Sequence, residues 1–301
     1  MESNTLTDRL NAKLAVADGA HFEPGQGGLT RIVLRSPHAT AHVYQHGGHV
    51  THFQPHGKPP VLWMSQRSAF EAGKPIRGGI PLCFPWFGPR ADHPEAPAHG
   101  FARTSNLKVR SLERTERGVQ LTLVLDWTPR TFDIWPHAFS LVYRIHLTDR
   151  LELALTVSNH GQQAMRFEEA LHTYFAVGDI HRTTVTGLEG ATYIDKMDQL
   201  AVKPQGPEPI RFTGETDRVY QDTTSACMIH DEAGARRIEV AKAGSKSTVV
   251  WNPWIEKARR MPDFGDDEWP GMLCVETANV AQHAIELQPG DSHTLEATIA
   301  C

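Results

Sequence analysis

What most constrains this chain is alternation. Short segments in which apolar and polar residues change places at period two follow one another along almost the whole sequence, as strands with one buried face require. They fall at about thirteen places, each bounded by turn residues: 29–34, 39–44, 107–113, 119–127, 140–147, 151–158, 166–176, 225–230, 237–241, 247–251, 272–277, 283–287 and 293–299. Asp149 and Arg150 separate two strongly alternating strands at hairpin distance, and Gly234 and the Pro289-Gly290 pair close others. Strands without interleaved helical patterns exclude a doubly wound parallel sheet, whose crossovers need long connections. The count also exceeds that of an immunoglobulin-like sandwich. The expected architecture is all-β, a large antiparallel β-sandwich in one domain over residues 29–301. Residues 1–28 form a short N-terminal helix and lead-in, the helix read over 6–16 from Leu6, Leu10 and Leu14 at four-residue spacing. Residues 203–209 read as a loop.

Composition narrows the function. With 40% hydrophobic and 22% charged residues, the chain of 301 residues can bury a sizeable core. Its net charge of −5 argues against a general nucleic-acid binder, so any anionic ligand has to meet a local cluster of Arg or Lys. Cys83, Cys227, Cys274 and Cys301 lie far apart and form neither a C-x-x-C pair nor a disulfide framework, which fits a reducing compartment. The N-terminus carries Asp8, Arg9 and Lys13 where a signal peptide would be apolar, and no window approaches the ~20 apolar residues of a membrane helix. A cytoplasmic protein, monomeric and without membrane contact, is expected.

The least strand-like stretch is also the most distinctive. It runs from Arg77-Gly78-Gly79-Ile80-Pro81 through Phe84-Pro85-Trp86-Phe87-Gly88-Pro89-Arg90 to His99-Gly100-Phe101-Ala102-Arg103. Glycines allow close backbone approach to a ligand, Pro81, Pro85 and Pro89 stiffen the path, and Arg77, Arg90 and Arg103 can fork onto phosphate oxygens. Trp86, Phe87 and Phe101 can offer flat faces to a sugar ring. A loop of this composition can equally well turn a corner, with its arginines in solvent and its aromatics in the core.

These blocks, with Glu169-Ala170-Leu171-His172-Thr173-Tyr174-Phe175 and Cys274-Val275-Glu276-Thr277 in the same order, resemble the hexose-6-phosphate mutarotases (glucose-6-phosphate 1-epimerases) of the aldose 1-epimerase superfamily. The resemblance spans roughly residues 29–299. It implies a galactose mutarotase-like supersandwich with a cleft on one sheet, interconverting the α and β anomers of a hexose 6-phosphate without metal or organic cofactor. Position by position it implies His172 as general acid, Glu276 as general base, Arg77 and Arg103 on the phosphate side, and Asp217 on a sugar hydroxyl. His99 is expected to donate to a hydroxyl or to anchor its loop. The residue before His99, often Gln in relatives, is Ala98 here.

The residues by themselves are compatible with that chemistry. Ring opening needs one group to take the C1 hydroxyl proton and one to protonate the ring oxygen, with the roles exchanged on closure. Alternation puts His172 and Tyr174 opposite the apolar parity of Phe167, Leu171 and Phe175, and Glu276 with Cys274 opposite Leu273 and Val275. His172 is expected to stay protonated near neutrality if the Glu276 carboxylate and a bound phosphate favour its charged form. Three alternatives remain: an epimerase of unphosphorylated aldoses, a non-catalytic carbohydrate-binding β-sandwich, and a glycoside hydrolase pairing Glu276 with Glu168 or Glu169. No metal site is expected from the histidine-rich stretch, since His42 and His46 on one strand face lie about 13 Å apart. The acidic run from Asp263 to Glu268 reads as a surface loop or a rim of the cleft.

Overall fold

The computed structural model describes residues 5–90 and 92–301. It is mostly β, with all strand pairs of its sheets antiparallel and a few short helices, as the alternation requires. One eight-stranded sheet runs in the order Thr183–Thr186, Cys227–Asp231, Arg236–Ala243, Ser292–Ala300, Leu151–Asn159, Phe139–Leu147, Val119–Asp126 and Lys108–Arg114. Leu151–Asn159 is its clearest strand. Leu151, Leu153, Leu155 and Val157 are buried while the intervening residues are partly exposed, so one face closes the core and the other meets water. Each such aliphatic side chain contributes about 1.5–3 kcal/mol of burial.

A second eight-stranded sheet carries the cleft. Ala201–Pro204, Thr192–Asp195, Thr216–Gln221, Ser247–Asn252, Met272–Asn279, Glu169–Leu171 and Leu82–Cys83 follow one another, and Tyr174–Ala176 also pairs with Met272–Asn279. Ser247–Asn252 and Met272–Asn279 are buried at every position. Val250 and Val275 pack into the main core, so the opposite face of these strands is covered by something other than the core, namely the walls of a cleft. Two smaller sheets complete the molecule, a four-stranded one containing Ala20–Pro24, Thr30–Arg35, Ala39–Tyr44 and His49–Pro55, and the pair Met165–Phe167 with Ile285–Leu287.

The single strand expected over 166–176 is three. The ladder thins where Glu168 donates its N–H to the Pro85 carbonyl at 2.9 Å and His172 donates to the Pro81 carbonyl at 3.0 Å, both in the register that pairs Ala170 with Cys83. Prolines can only accept, so neither returns the second bond of its pair. The lead-in already contains a strand, Ala20–Pro24, and the loop read at 203–209 begins inside the edge strand Ala201–Pro204. The N-terminal helix covers Leu6–Leu14 and is capped by Thr5, whose hydroxyl accepts from the Asp8 N–H. It stops before Val16, because the Val16 N–H bonds the Ala20 carbonyl. Short helices at Pro129–Ile134 and Trp254–Arg260 interrupt what sequence alternation reads as strand and loop.

Replacing Leu155, which is fully buried, by Ala should lower unfolding free energy by about 2–5 kcal/mol. Ser158→Ala, on the outward parity of the same strand, should stay within about 0.5 kcal/mol. Urea denaturation of both variants checks the assignment of faces.

Candidate active site

Register builds the cleft floor row by row. Asp217 pairs with Trp251, Trp251 with Cys274 and Cys274 with Tyr174; two residues along each strand, Val219 pairs with Val249 and Val249 with Glu276. Successive side chains of a strand alternate faces, so these residues share one face. Val219, Val249, Cys83, Ala170, Ala278 and Val280 form a small apolar cluster separate from the main core, with Phe87 and Ile194 against it. The cleft above has a volume of about 750 Å³, and its walls include Arg77, Phe87, His99, Arg103, His172, Lys196, Asp217 and Glu276.

His172 and Glu276 are neighbours there. Nδ1 of His172 lies 3.4 Å from Oε1 of Glu276, with side chains 9% and 1% exposed. Among the described residues neither His172 Nδ1 nor Glu276 Oε2 has a hydrogen-bond partner. The imidazole stacks on Tyr174, with ring centroids 4.8 Å apart, and meets Trp251 edge-on. Burial moves both groups toward neutrality. It holds Glu276 well above the usual carboxylate range, a shift that Lys196 opposes and Asp217 reinforces. It holds His172 well below the usual imidazole value, and His99, Arg77 and Arg103 add to this by charge repulsion. The charged imidazole expected with a phosphate bound is disfavoured by burial in the ligand-free protein. A charged His172 with an ionised Glu276 and a neutral His172 with a protonated Glu276 carry the same number of protons, and the dry floor favours the second arrangement.

The two expected arginines differ sharply. Arg77 is already engaged: Nε and Nη2 each reach Asp263 at 3.2 Å, and Nη1 donates to the Tyr174 hydroxyl at 2.9 Å. Asp263 thus belongs to the rim. Arg103 donates from Nη2 to the Ala98 carbonyl at 2.7 Å, while its Nε is buried without a partner among the described residues. Burial lowers its pKa, and the nearby Arg77 adds to that. A half-buried guanidinium on the cleft wall with no carboxylate partner among the described residues is free to take an anion.

His99 sits at φ +62°, a left-handed conformation held by two contacts with one residue: its N–H donates to the Gly88 carbonyl at 2.8 Å, and the Gly88 N–H faces its Nδ1 at 3.3 Å. With Nδ1 accepting, Nε2 carries the proton. Asp217 is 3.4 Å from Lys196, whose ammonium lies over the Phe87 ring. The structure thus brings all six sequence candidates, His172, Glu276, Arg77, Arg103, His99 and Asp217, to one cleft.

Other expectations for the loop fail. Arg90 is not at the cleft; it grips Asp92 and the Ile134 carbonyl and lies over Trp86. Trp86 and Phe101 are core residues, which leaves Phe87 as the loop's aromatic wall. Gly79, at φ +59°, serves chain crossing rather than a ligand, since a Cβ there would lie 2.2 Å from the Val50 carbonyl oxygen. Sequence reasoning missed Lys196 and Lys257. Lys196 follows a four-residue strand with too short an alternation to read, and Lys257 rides on the unforeseen helix Trp254–Arg260. The histidines of the 38–56 stretch also behave unexpectedly, because His42 and His52 pair across strands and stack at 4.7 Å. Glu168 accepts the N–H groups of Phe87 and Ala281 at 2.9 and 2.7 Å, and Glu169 is fully buried against Asn279 and His293. Among the described residues no helix is long and apolar enough to cross a membrane, and all four cysteines are free.

With this antiparallel fold, the chain belongs to the aldose 1-epimerase family, whose model matches residues 30–300. It is similar to an Escherichia coli protein named "Putative glucose-6-phosphate 1-epimerase", 37% identical over 254 residues that cover 84% of each chain. A Salmonella typhimurium protein of the same name is 36% identical, with 87% of each chain covered. Among solved structures, a "putative mutarotase" from Salmonella typhimurium superposes with a TM-score of 0.88 at 30% identity, covering 98% of this chain and 99% of that one. The fold is galactose mutarotase-like.

In the ligand-free protein the His172 ring signals, followed by NMR across pH, should titrate with a midpoint below the ordinary 6.5. A midpoint at or above that value would mean that the Glu276 carboxylate, not burial, governs the imidazole.

Proposed function

We propose that this protein interconverts the α and β anomers of a hexose 6-phosphate, glucose 6-phosphate first among them, by acid–base ring opening and closure. The observation that carries the reading is the juxtaposition, in one cleft, of the His172–Glu276 pair and a half-buried arginine, Arg103, whose buried Nε has no partner among the described residues.

The 3.4 Å between His172 and Glu276 is too little to seat a sugar ring between them. Both groups therefore address the sugar from the same side, one at the C1 hydroxyl and the other at the ring oxygen. The pair holds one exchangeable proton. Once the sugar's oxygens solvate the site, Glu276 ionises and takes the O1 proton while His172 protonates the ring oxygen. The C1–O5 bond breaks, the aldehyde rotates about C1–C2, and closure on the other face returns both protons. Tyr174 fixes the imidazole plane by stacking, and Val219 and Val249 offer an apolar floor to the ring. Arg103 takes the phosphate, with Lys196 and Lys257 as further cations on the walls, and Arg77, braced by Asp263 and Tyr174, shapes the same end. Asp217 and the Nε2 proton of His99 are left for hydroxyls.

Two alternatives lose support. A retaining or inverting hydrolase needs a second carboxylate facing Glu276, but Glu168 is spent on backbone N–H groups and Glu169 is buried against His293. A purely binding sandwich gives no reason to keep an imidazole and a carboxylate in contact on a dry floor. An epimerase of free aldoses differs from the present reading only in leaving Arg103 without work.

NMR exchange spectroscopy on the two anomers of glucose 6-phosphate, with and without protein, tests the activity. Exchange should be accelerated by the wild type and return to the spontaneous rate in His172→Asn and Glu276→Gln; unchanged exchange in either variant would end the assignment. Arg103→Met should cost glucose 6-phosphate about 10²- to 10⁴-fold in kcat/KM, the ~3–5 kcal/mol of a broken ion pair to the bound phosphate, and spare free glucose. Equal losses on both sugars would remove phosphate recognition from Arg103. In the pH profile, Lys196→Met should move the alkaline limb upward and Asp217→Asn downward, since Lys196 favours the Glu276 carboxylate and Asp217 opposes it.

A further inference from the structure

Beneath the imidazole and the carboxylate lies a third donor that the reaction does not use. Cys274 is two residues from Glu276 on the same strand face, and one ligand atom from each of His172, Cys274 and Glu276 falls within 4.8 Å of the others. All three side chains are buried. Two of the donors, His172 Nδ1 and Glu276 Oε2, have no hydrogen-bond partner among the described residues, so the pocket presents unsatisfied ligand atoms rather than a closed network. We propose that this trio is a binding site for a divalent transition-metal cation, zinc being the representative, and that the ion excludes the sugar by occupying the atoms that the reaction uses.

Geometry and charge both favour it. Ligands of a tetrahedral zinc with bonds of about 2.0–2.3 Å stand roughly 3.4–3.7 Å apart. The His172–Glu276 separation of 3.4 Å already meets this, and Cys274 has to close by about an ångström. A thiolate, a carboxylate and a neutral imidazole around a dication sum to zero, the net charge a buried site tolerates best. Binding releases the thiol proton and the one proton that His172 and Glu276 share. Three protein ligands leave the fourth position for water. Sulfur with imidazole selects zinc and its neighbours over magnesium or calcium. The other close thiol–imidazole pair, Cys83 with His99 at 3.4 Å, is unsuited, because His99 Nδ1 faces the Gly88 N–H.

Cobalt(II) and zinc are the probes, used on the full chain. Wild-type protein should bind one cobalt ion with a thiolate-to-cobalt charge-transfer band, and zinc should displace it. Cys274→Ser and Cys274→Ala should lose the band, and zinc affinity, read by competition with a chromophoric chelator, should fall at least tenfold, since losing even an outer-shell partner costs about 10–100-fold. Glu276→Gln, which keeps the thiol, should weaken zinc comparably and serves as the second variant; circular dichroism of each verifies folding. Zinc should slow anomer exchange by the wild type, a chelator should restore it, and Cys274→Ser should need at least tenfold more zinc for the same inhibition. Undiminished zinc affinity in Cys274→Ser and Glu276→Gln, or a cobalt complex without the thiolate band, would put the ion elsewhere, such as the stacked His42 and His52, and overturn the proposal.

Discussion

Desolvation of one acid–base pair governs the rest of this site. His172 and Glu276 lie on a sheet face flanked by Val219, Val249 and Trp251, where a lone charge would be costly. The pair survives there because it can be neutral without losing its working proton. The neighbouring charges are arranged around that fact: Lys196 pulls Glu276 toward its carboxylate, Asp217 pushes it back, and the two neutralise one another at 3.4 Å. Burial thus favours the neutral pair, and the charges of Lys196 and Asp217 act on Glu276 in opposite directions.

The glycine- and proline-rich loop divides its tasks in a way its composition conceals. Its prolines accept hydrogen bonds from Glu168 and His172 in the register of the short ladder to Leu82–Cys83, and so hold the strand from which the imidazole projects. Gly79 lets one chain cross another, and Gly100 packs so tightly that a Cβ would lie 1.9 Å from the Phe84 carbonyl oxygen. One arginine is spent on bracing, one leaves the site altogether, and one stands half-buried on the cleft wall without a carboxylate. Arg77, Arg90 and Arg103 look equivalent in the sequence. Asp263 and Asp92 make the difference, and of the three only Arg103 has no carboxylate partner among the described residues.

Much of this was legible beforehand. Period-two alternation located Leu151–Asn159, Phe139–Leu147 and Ser292–Ala300, because strands with one wet face write their burial into the sequence. It failed for Thr192–Asp195 and Thr216–Gln221, which are short and lie over the cleft, where polar residues face inward for chemical reasons. Glu276 and Cys274 were placed correctly on one face by parity alone. Parity from Phe167 to Phe175 also held: Phe167, Leu171 and Phe175 enter the main core, while Glu168, His172 and Tyr174 line the cleft.

The amino-acid sequence by itself determined an antiparallel all-β chain and the identity of the six candidate side chains, since alternation is local and the motifs are contiguous. Only the tertiary structure decided which arginine is left without a carboxylate, that burial disfavours a charged His172 in the ligand-free state, and that Cys274 stands beside both His172 and Glu276. Those outcomes depend on burial and on partners as much as 186 residues away, as Asp263 is from Arg77. Electrostatic energy follows distance in space and exclusion of water, and neither is encoded in sequence separation.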